Sequence, residues 1–174
     1  TVNGGTDLDK LHTYPMELFA DLLKADPGFA KLAAATAKTQ TILRQSISKR
    51  INGTAKGTNK SQFLVFDFMK VGDDAAYEAF EAKFLKVHEA RIEAGNISGW
   101  SLYKSIYPNS ADVSTNYTTI QSFDKLSKAD QAWDSYLTAI PKALGVSAET
   151  IMKQAPAQRT LTSTMIATVA VATK

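Results

Sequence analysis

The helix-patterned segment from Asp73 to Ala94 places an imidazole and a guanidinium where leucine or alanine would be ordinary. At about 100° per residue, His88 and Arg91 fall on the side that also carries Tyr77, Phe80, Phe84 and Val87. Both groups are costly to bury, because each gives up water without a guaranteed partner. Two uses follow. In one, Arg91 clamps a carboxylate, enolate or propionate while His88 carries a proton or ligates a metal. In the other, His88 bonds a carbonyl across the core, and Arg91 pairs with an acid and offsets the helix dipole.

Asp67 is the third candidate, an acid in the middle of the apolar run Gln62–Val71 (QFLVFDFMKV). If it faces the helix, Arg91 or His88 is its natural partner, and it would orient the imidazole as carboxylates do in triads. If it faces the other way, it belongs to an interface. Alternation groups it with Phe63, Val65, Met69 and Val71 without saying which face that is. Trp100 and Tyr103 project to opposite faces of the following strand, one toward a pocket and the other toward an interface. Tyr107 and Tyr117 flank the hairpin and could rim the pocket, whereas His12 sits in a polar stretch and reads as solvated.

Other chemistries are excluded or disfavoured by composition. The chain has no cysteine, so thiolate catalysis, disulfides and Cys-ligated zinc are ruled out. With two histidines and no H-x-x-x-H spacing, no dedicated metal site is expected. No G-x-S-x-G, P-loop or dinucleotide fingerprint is present. A net charge of +3 is spread among acids with no basic run, so nucleic acid is not expected as a partner. No apolar stretch reaches the roughly 18 residues of a membrane span. The chain opens Thr1-Val2 rather than on Met; removal of a secretory signal is one explanation, which makes export the expected localisation, and a trimmed start is the other.

The elements that must position these residues can be read in order. Thr13-Tyr14-Pro15 opens a helix carrying Leu18, Phe19, Leu22 and Leu23, and Asp26-Pro27 opens a second to about Lys38. Residues 41–51 alternate like a strand, with a continued helix as the rival, and 52–61 reads as a linker. From there the reading is a buried strand over 62–71, a helix from Asp73-Asp74 to Ala94 stopped by Gly95, and a strand over 97–107. Pro108-Asn109-Ser110 turns the chain into a returning strand, 116–123. Ser127-x-x-Asp130 resembles a capping box ahead of a helix with Trp133, Tyr136, Leu137 and Ile140, ended or bent by Pro141. Ser147 starts a short helix to about Gln154, and 159–171 closes as a strand with Leu161, Ser163, Met165, Ala167 and Val169 on one face.

The order βαββαβ is the ferredoxin-like, α+β arrangement, an antiparallel sheet with both helices on one face. Domain organisation is then a helical extension over 1–60, ending in the candidate strand 41–51, and a ferredoxin-like domain over 61–174. Large residues on both faces of the first domain strand require a cover for its open side, and a second copy of the chain is the simplest one. The N-terminal helices are the rival cover.

With His88-Glu-Ala-Arg91-Ile-Glu-Ala-Gly95 and Ile97-Ser-Gly-Trp100-Ser-Leu-Tyr103 in place, the chain resembles the dimeric α+β-barrel superfamily over about residues 62–171. That superfamily includes cofactor-free monooxygenases of antibiotic biosynthesis, haem-degrading enzymes and proteins of unassigned activity. The resemblance implies a homodimer with its sheets face to face and a pocket between helices and sheet in each protomer. The expected function is binding of a small anionic or aromatic molecule without a cofactor, with His88, Arg91 and Asp67 as acting groups and Tyr77, Phe84, Trp100 and Tyr103 as lining. The alternatives are a cofactor-independent monooxygenase, a haem-degrading enzyme with His88 as axial ligand, and an assembly module with no ligand.

Overall fold

The computed structural model describes residues 20–21, 24–39, 46–54, 61–107 and 114–169. Of the helix expected from Thr13, residues 20–21 and 24–25 are described and helical, and the rest lies outside these residues, as does the turn expected at Pro108-Asn109-Ser110. Two compact units divide the chain after Gln45. In the first, helix α1 (Pro27–Thr39) starts as read from Asp26-Pro27, with the Gly28 amide donating to Asp26 Oδ1 at 2.8 Å.

The second unit, Ser46–Lys174, holds a five-stranded antiparallel sheet. Its elements are β1 (Ile47–Gly53), β2 (Phe63–Lys70), α2 (Asp74–Glu93), β3 (Gly99–Tyr107) and β4 (Tyr117–Phe123). They are followed by the single-turn α3 (Ser127–Asp130), α4 (Ala132–Leu144), α5 (Ala148–Gln158) and β5 (Thr160–Thr168). Strand order is β1-β3-β4-β2-β5. Without β1 this is the ferredoxin-like order, and the fold is α+β as the element sequence implied. β1 adds a fifth strand against β3, so the sheet-bearing unit begins at Ser46, ahead of the boundary read at residue 61.

Local chemistry sets each boundary. Asp73 caps α2, its carboxylate accepting from the Ala76 amide at 3.0 Å. The helix stops at Gly95, whose φ of +73° is a conformation that a side chain would strain. Ser147 caps α5 through the Thr150 amide at 3.2 Å. Three local readings need correction. Ser127 makes no side-chain cap, because it already lies inside α3. Pro141 does not end α4, which runs on to Leu144; the carbonyl that its missing N–H would have met belongs to exposed Leu137, where water can serve it. Leu161 does not share a face with Ser163, Met165 and Ala167. The register shifts there, so that Leu161 sits opposite Met69 and Ser163 opposite Phe68, and the extra residue flips the alternation.

The register also settles the faces of the sheet. Asp67 stands opposite Thr119, and Gln121 opposite both Val65 and Trp100. This face is the covered one: Val65, Met69, Trp100, Leu102, Tyr117 and Phe123 join Tyr77 from α2 in a buried cluster. A second cluster, Phe84, Val87, Ala139, Ile140 and Ile151, welds α2 to α4 and α5. Each buried Val, Leu, Ile, Phe or Met in these clusters contributes roughly 1.5–3 kcal/mol relative to exposure. The other face presents Leu64, Phe66, Phe68, Ile120 and Met165, half-buried or exposed.

Candidate functional site

His88 and Arg91 both look inward, because α2 turns one continuous stripe toward the sheet: Tyr77, Glu81, Phe84, His88 and Arg91 are all buried. They meet the seam between the two apolar clusters. The His88 ring lies flat on the Trp100 indole, centroids 4.2 Å apart and planes 11° from parallel. Phe84 and Tyr136 meet it edge-on, each at 5.8 Å. Arg91 has no solvent exposure. Its Nε donates to Ser135 Oγ at 2.8 Å, its Nη1 donates to Gln121 Oε1 at 3.0 Å, and its guanidinium carbon stands 3.7 Å over the Tyr136 ring. His88 Nδ1 lies 3.5 Å from Arg91 Nη1, the outer limit of a hydrogen bond. A guanidinium only donates, so Nδ1 is the accepting nitrogen there and the ring proton belongs on Nε2.

Two electrical facts distinguish this cluster. Arg91 forms no ion pair with any described residue, and every group it touches is neutral. In addition, Arg91 Nη2 is buried without a hydrogen-bond partner among the described residues. Buried guanidinium donors are ordinarily all engaged, since an unmet one costs the full desolvation of the group. Burial pulls the Arg91 pKa down from its usual value, while Tyr136 opposes that shift. Burial, reinforced by the Arg91 and Arg159 charges, holds His88 well below the ordinary imidazole range, so the ring is neutral.

Asp67 is half-buried on the same face and meets neither His88 nor Arg91 directly. Its Oδ1 accepts from Thr164 Oγ1 at 2.8 Å, and its Oδ2 accepts from Gln121 Nε2 at 3.4 Å. Gln121 is thus the bridge between acid and guanidinium, and Tyr136 Oη also reaches its Oε1, at 3.4 Å. Of the other expected lining residues, Phe84 and Trp100 pack on His88. Tyr77 belongs to the neighbouring cluster, its hydroxyl 3.3 Å from Met69 Sδ and its ring edge-on to Tyr117. Tyr103 projects to the opposite face, where it lines an open groove of about 370 Å³ with Arg50, Thr54, Leu64 and Ile120.

Gln121, Ser135, Tyr136 and the part-buried ion pair Glu81–Arg159 were not singled out from the sequence as site residues. Glu81 and Gln121 did carry a signal: each interrupts an apolar alternation on a face that is otherwise buried. Ser135 carried none, since a serine on a helix is ordinary at any position. Among the described residues, no group of three His, Cys, Asp or Glu side chains could hold a metal ion. A haem iron does not fit His88 either, because Trp100, Phe84 and Tyr136 enclose a ring that is only 2% exposed. No helix among the described residues is long and apolar enough to cross a membrane.

Fold and site together define an α+β protein of ferredoxin-like topology, bearing a buried arginine with no ion-pair partner among the described residues beside a stacked histidine. No protein-family model matches the chain, and no curated protein sequence matches it significantly. Two solved structures are similar in outline. One is a major regulator of staphylococcal pathogenesis, at 19% identity and a TM-score of 0.40, covering 60% of this chain and 61% of that one. The other is a candidate monooxygenase from Lactobacillus acidophilus, at 12% identity and a TM-score of 0.40, covering 67% and 47%. The match spans less than two thirds of either neighbour's length.

Proposed function

We propose that the protein binds a small anionic, aromatic molecule at Arg91, and that it does so as a homodimer assembled through the open face of its sheet. The observation that carries the reading is Arg91 Nη2, a buried cationic donor with no partner among the described residues, on a guanidinium that no described acid neutralises. An anionic ligand would supply both the missing acceptor and the missing charge. Tyr136, Phe84 and Trp100 pack around His88 beside the guanidinium, surroundings that favour a flat ligand body over an aliphatic one.

The test uses 3-phenylpropionate as probe in calorimetric titration against wild type and Arg91→Met. Methionine fills similar volume without the charge, so the variant is expected to keep its fold by circular dichroism and lose binding by about tenfold or more. A saturable wild-type signal retained in full by the variant would overturn the reading.

A cofactor-independent oxidative enzyme is the second reading. One observation favours it, the geometry: the accepting nitrogen of His88 stands 3.5 Å from Arg91 Nη1. There His88 would take a proton from an activated phenol or enol, and Arg91 would hold the resulting anion.

A further inference from the structure

The polar groups of the site form one row running from the core to the sheet edge: Arg91, Gln121, Asp67, Thr164. Both ends of the Gln121 carboxamide are used. Its oxygen accepts from the guanidinium at 3.0 Å and its nitrogen donates to the Asp67 carboxylate at 3.4 Å. A neutral amide therefore spans the gap between a cation and an anion, and neither ion meets an opposite charge among the described residues. The row opens outward. Asp67 is half-buried, Thr164 is exposed, and Ile166 beside them is 55% exposed on the edge strand. Buried charges without counter-charges are expensive to maintain, and an amide satisfies their hydrogen bonds without cancelling either charge.

We infer that the ligand is zwitterionic, an aromatic α-amino acid or close analogue, with its carboxylate on Arg91 and its ammonium on Asp67. The inference rests on the reading of Arg91 as an anion holder and adds the ligand's second charge. Such a molecule carries an anionic acceptor and a cationic donor a few bonds apart, the same polarity that Gln121 presents in neutral form. On binding it takes the place of the amide bridge: the carboxylate accepts from Arg91 Nη2 and Nη1, and the ammonium donates to Asp67. An anion without an amine meets only half of this complement and brings its charge toward an uncompensated carboxylate.

Three probes of one skeleton separate the possibilities in calorimetric titration: phenylalanine, 3-phenylpropionate, which lacks the ammonium, and phenethylamine, which lacks the carboxylate. Phenylalanine is expected to bind wild type more tightly than 3-phenylpropionate by about tenfold or more, the scale of one charge-assisted hydrogen bond. Asp67→Asn keeps an acceptor for Thr164 and is expected to bring the two probes level. If 3-phenylpropionate binds as well as phenylalanine, the zwitterion inference fails and the anion reading stands. If phenethylamine alone binds, or none of the three does, both fail. Equal phenylalanine binding by wild type and a folded Asp67→Asn would also overturn the role given to the acid.

Discussion

His88 makes the folding of this chain proton-linked. In the fold its pKa lies well below the ordinary 6.5, chiefly through burial and then through the Arg91 and Arg159 charges. An unfolded chain takes up a proton near pH 6.5 that the folded chain refuses, so unfolding binds a proton and stability falls as pH drops below that value. The slope approaches about 1.4 kcal/mol per pH unit for one proton. Glu81, whose pKa burial pushes up against the pull of Arg159, contributes in the opposite sense. That contribution is common to wild type and variant and cancels in their difference. In urea unfolding between about pH 5 and 6.5, the stability of wild type minus that of His88→Gln is therefore expected to fall as pH drops. Parallel profiles would mean that the folded imidazole protonates freely. The inward aim of His88 and Arg91 was legible from helical spacing. Their partners were not, because Gln121 and Ser135 reach them from elements 30 and 44 residues further along the chain.

At the scale of elements, α2 is held at two places along one stripe. Its C-terminal half grips β4 and α4 through Arg91, and its N-terminal half grips the start of β5 through Glu81 and Arg159. The Glu81 side chain is 2% exposed and that of Arg159 33% exposed. Burial works hardest against the charge of Arg159, but Glu81, Tyr77 and Tyr136 together outweigh it and the guanidinium pKa moves up. Removing one member of such a pair strands the other. Arg159→Met is expected to cost about 3 kcal/mol, and adding Glu81→Leu to recover most of the loss. A double-mutant cycle by chemical denaturation checks this; a single-variant cost near zero would show that the pair does not tie helix to strand. The helix boundaries were written locally, in Asp26, Asp73, Gly95 and Ser147. The strand faces of β5 were not, because the bulge near Leu161 exists only in the pairing with β2.

For the whole molecule the open face of the sheet is the unfinished surface. Phe66 and Phe68 stack there with centroids 6.4 Å apart, beside Leu64, Ile120 and Met165. A contiguous apolar sheet face of this kind is ordinarily covered. Sedimentation equilibrium is expected to find wild type dimeric and Phe66→Lys monomeric. The variant should still bind the phenyl probes, since Arg91 lies on the other side of the sheet; a monomeric wild type at micromolar concentration would remove the dimer. Much of this architecture was present in the chain's own pattern: hydrophobic periodicity and end-capping residues act over a few neighbours, so βαββαβ and the inward stripe of α2 could be read directly. Tertiary structure alone decided that Asp67 faces the helices, that β1 extends the sheet, and that a glutamine stands between the acid and the guanidinium. Those outcomes depend on register and on side chains meeting across distant segments, and period-two alternation names two faces without saying which of them is buried.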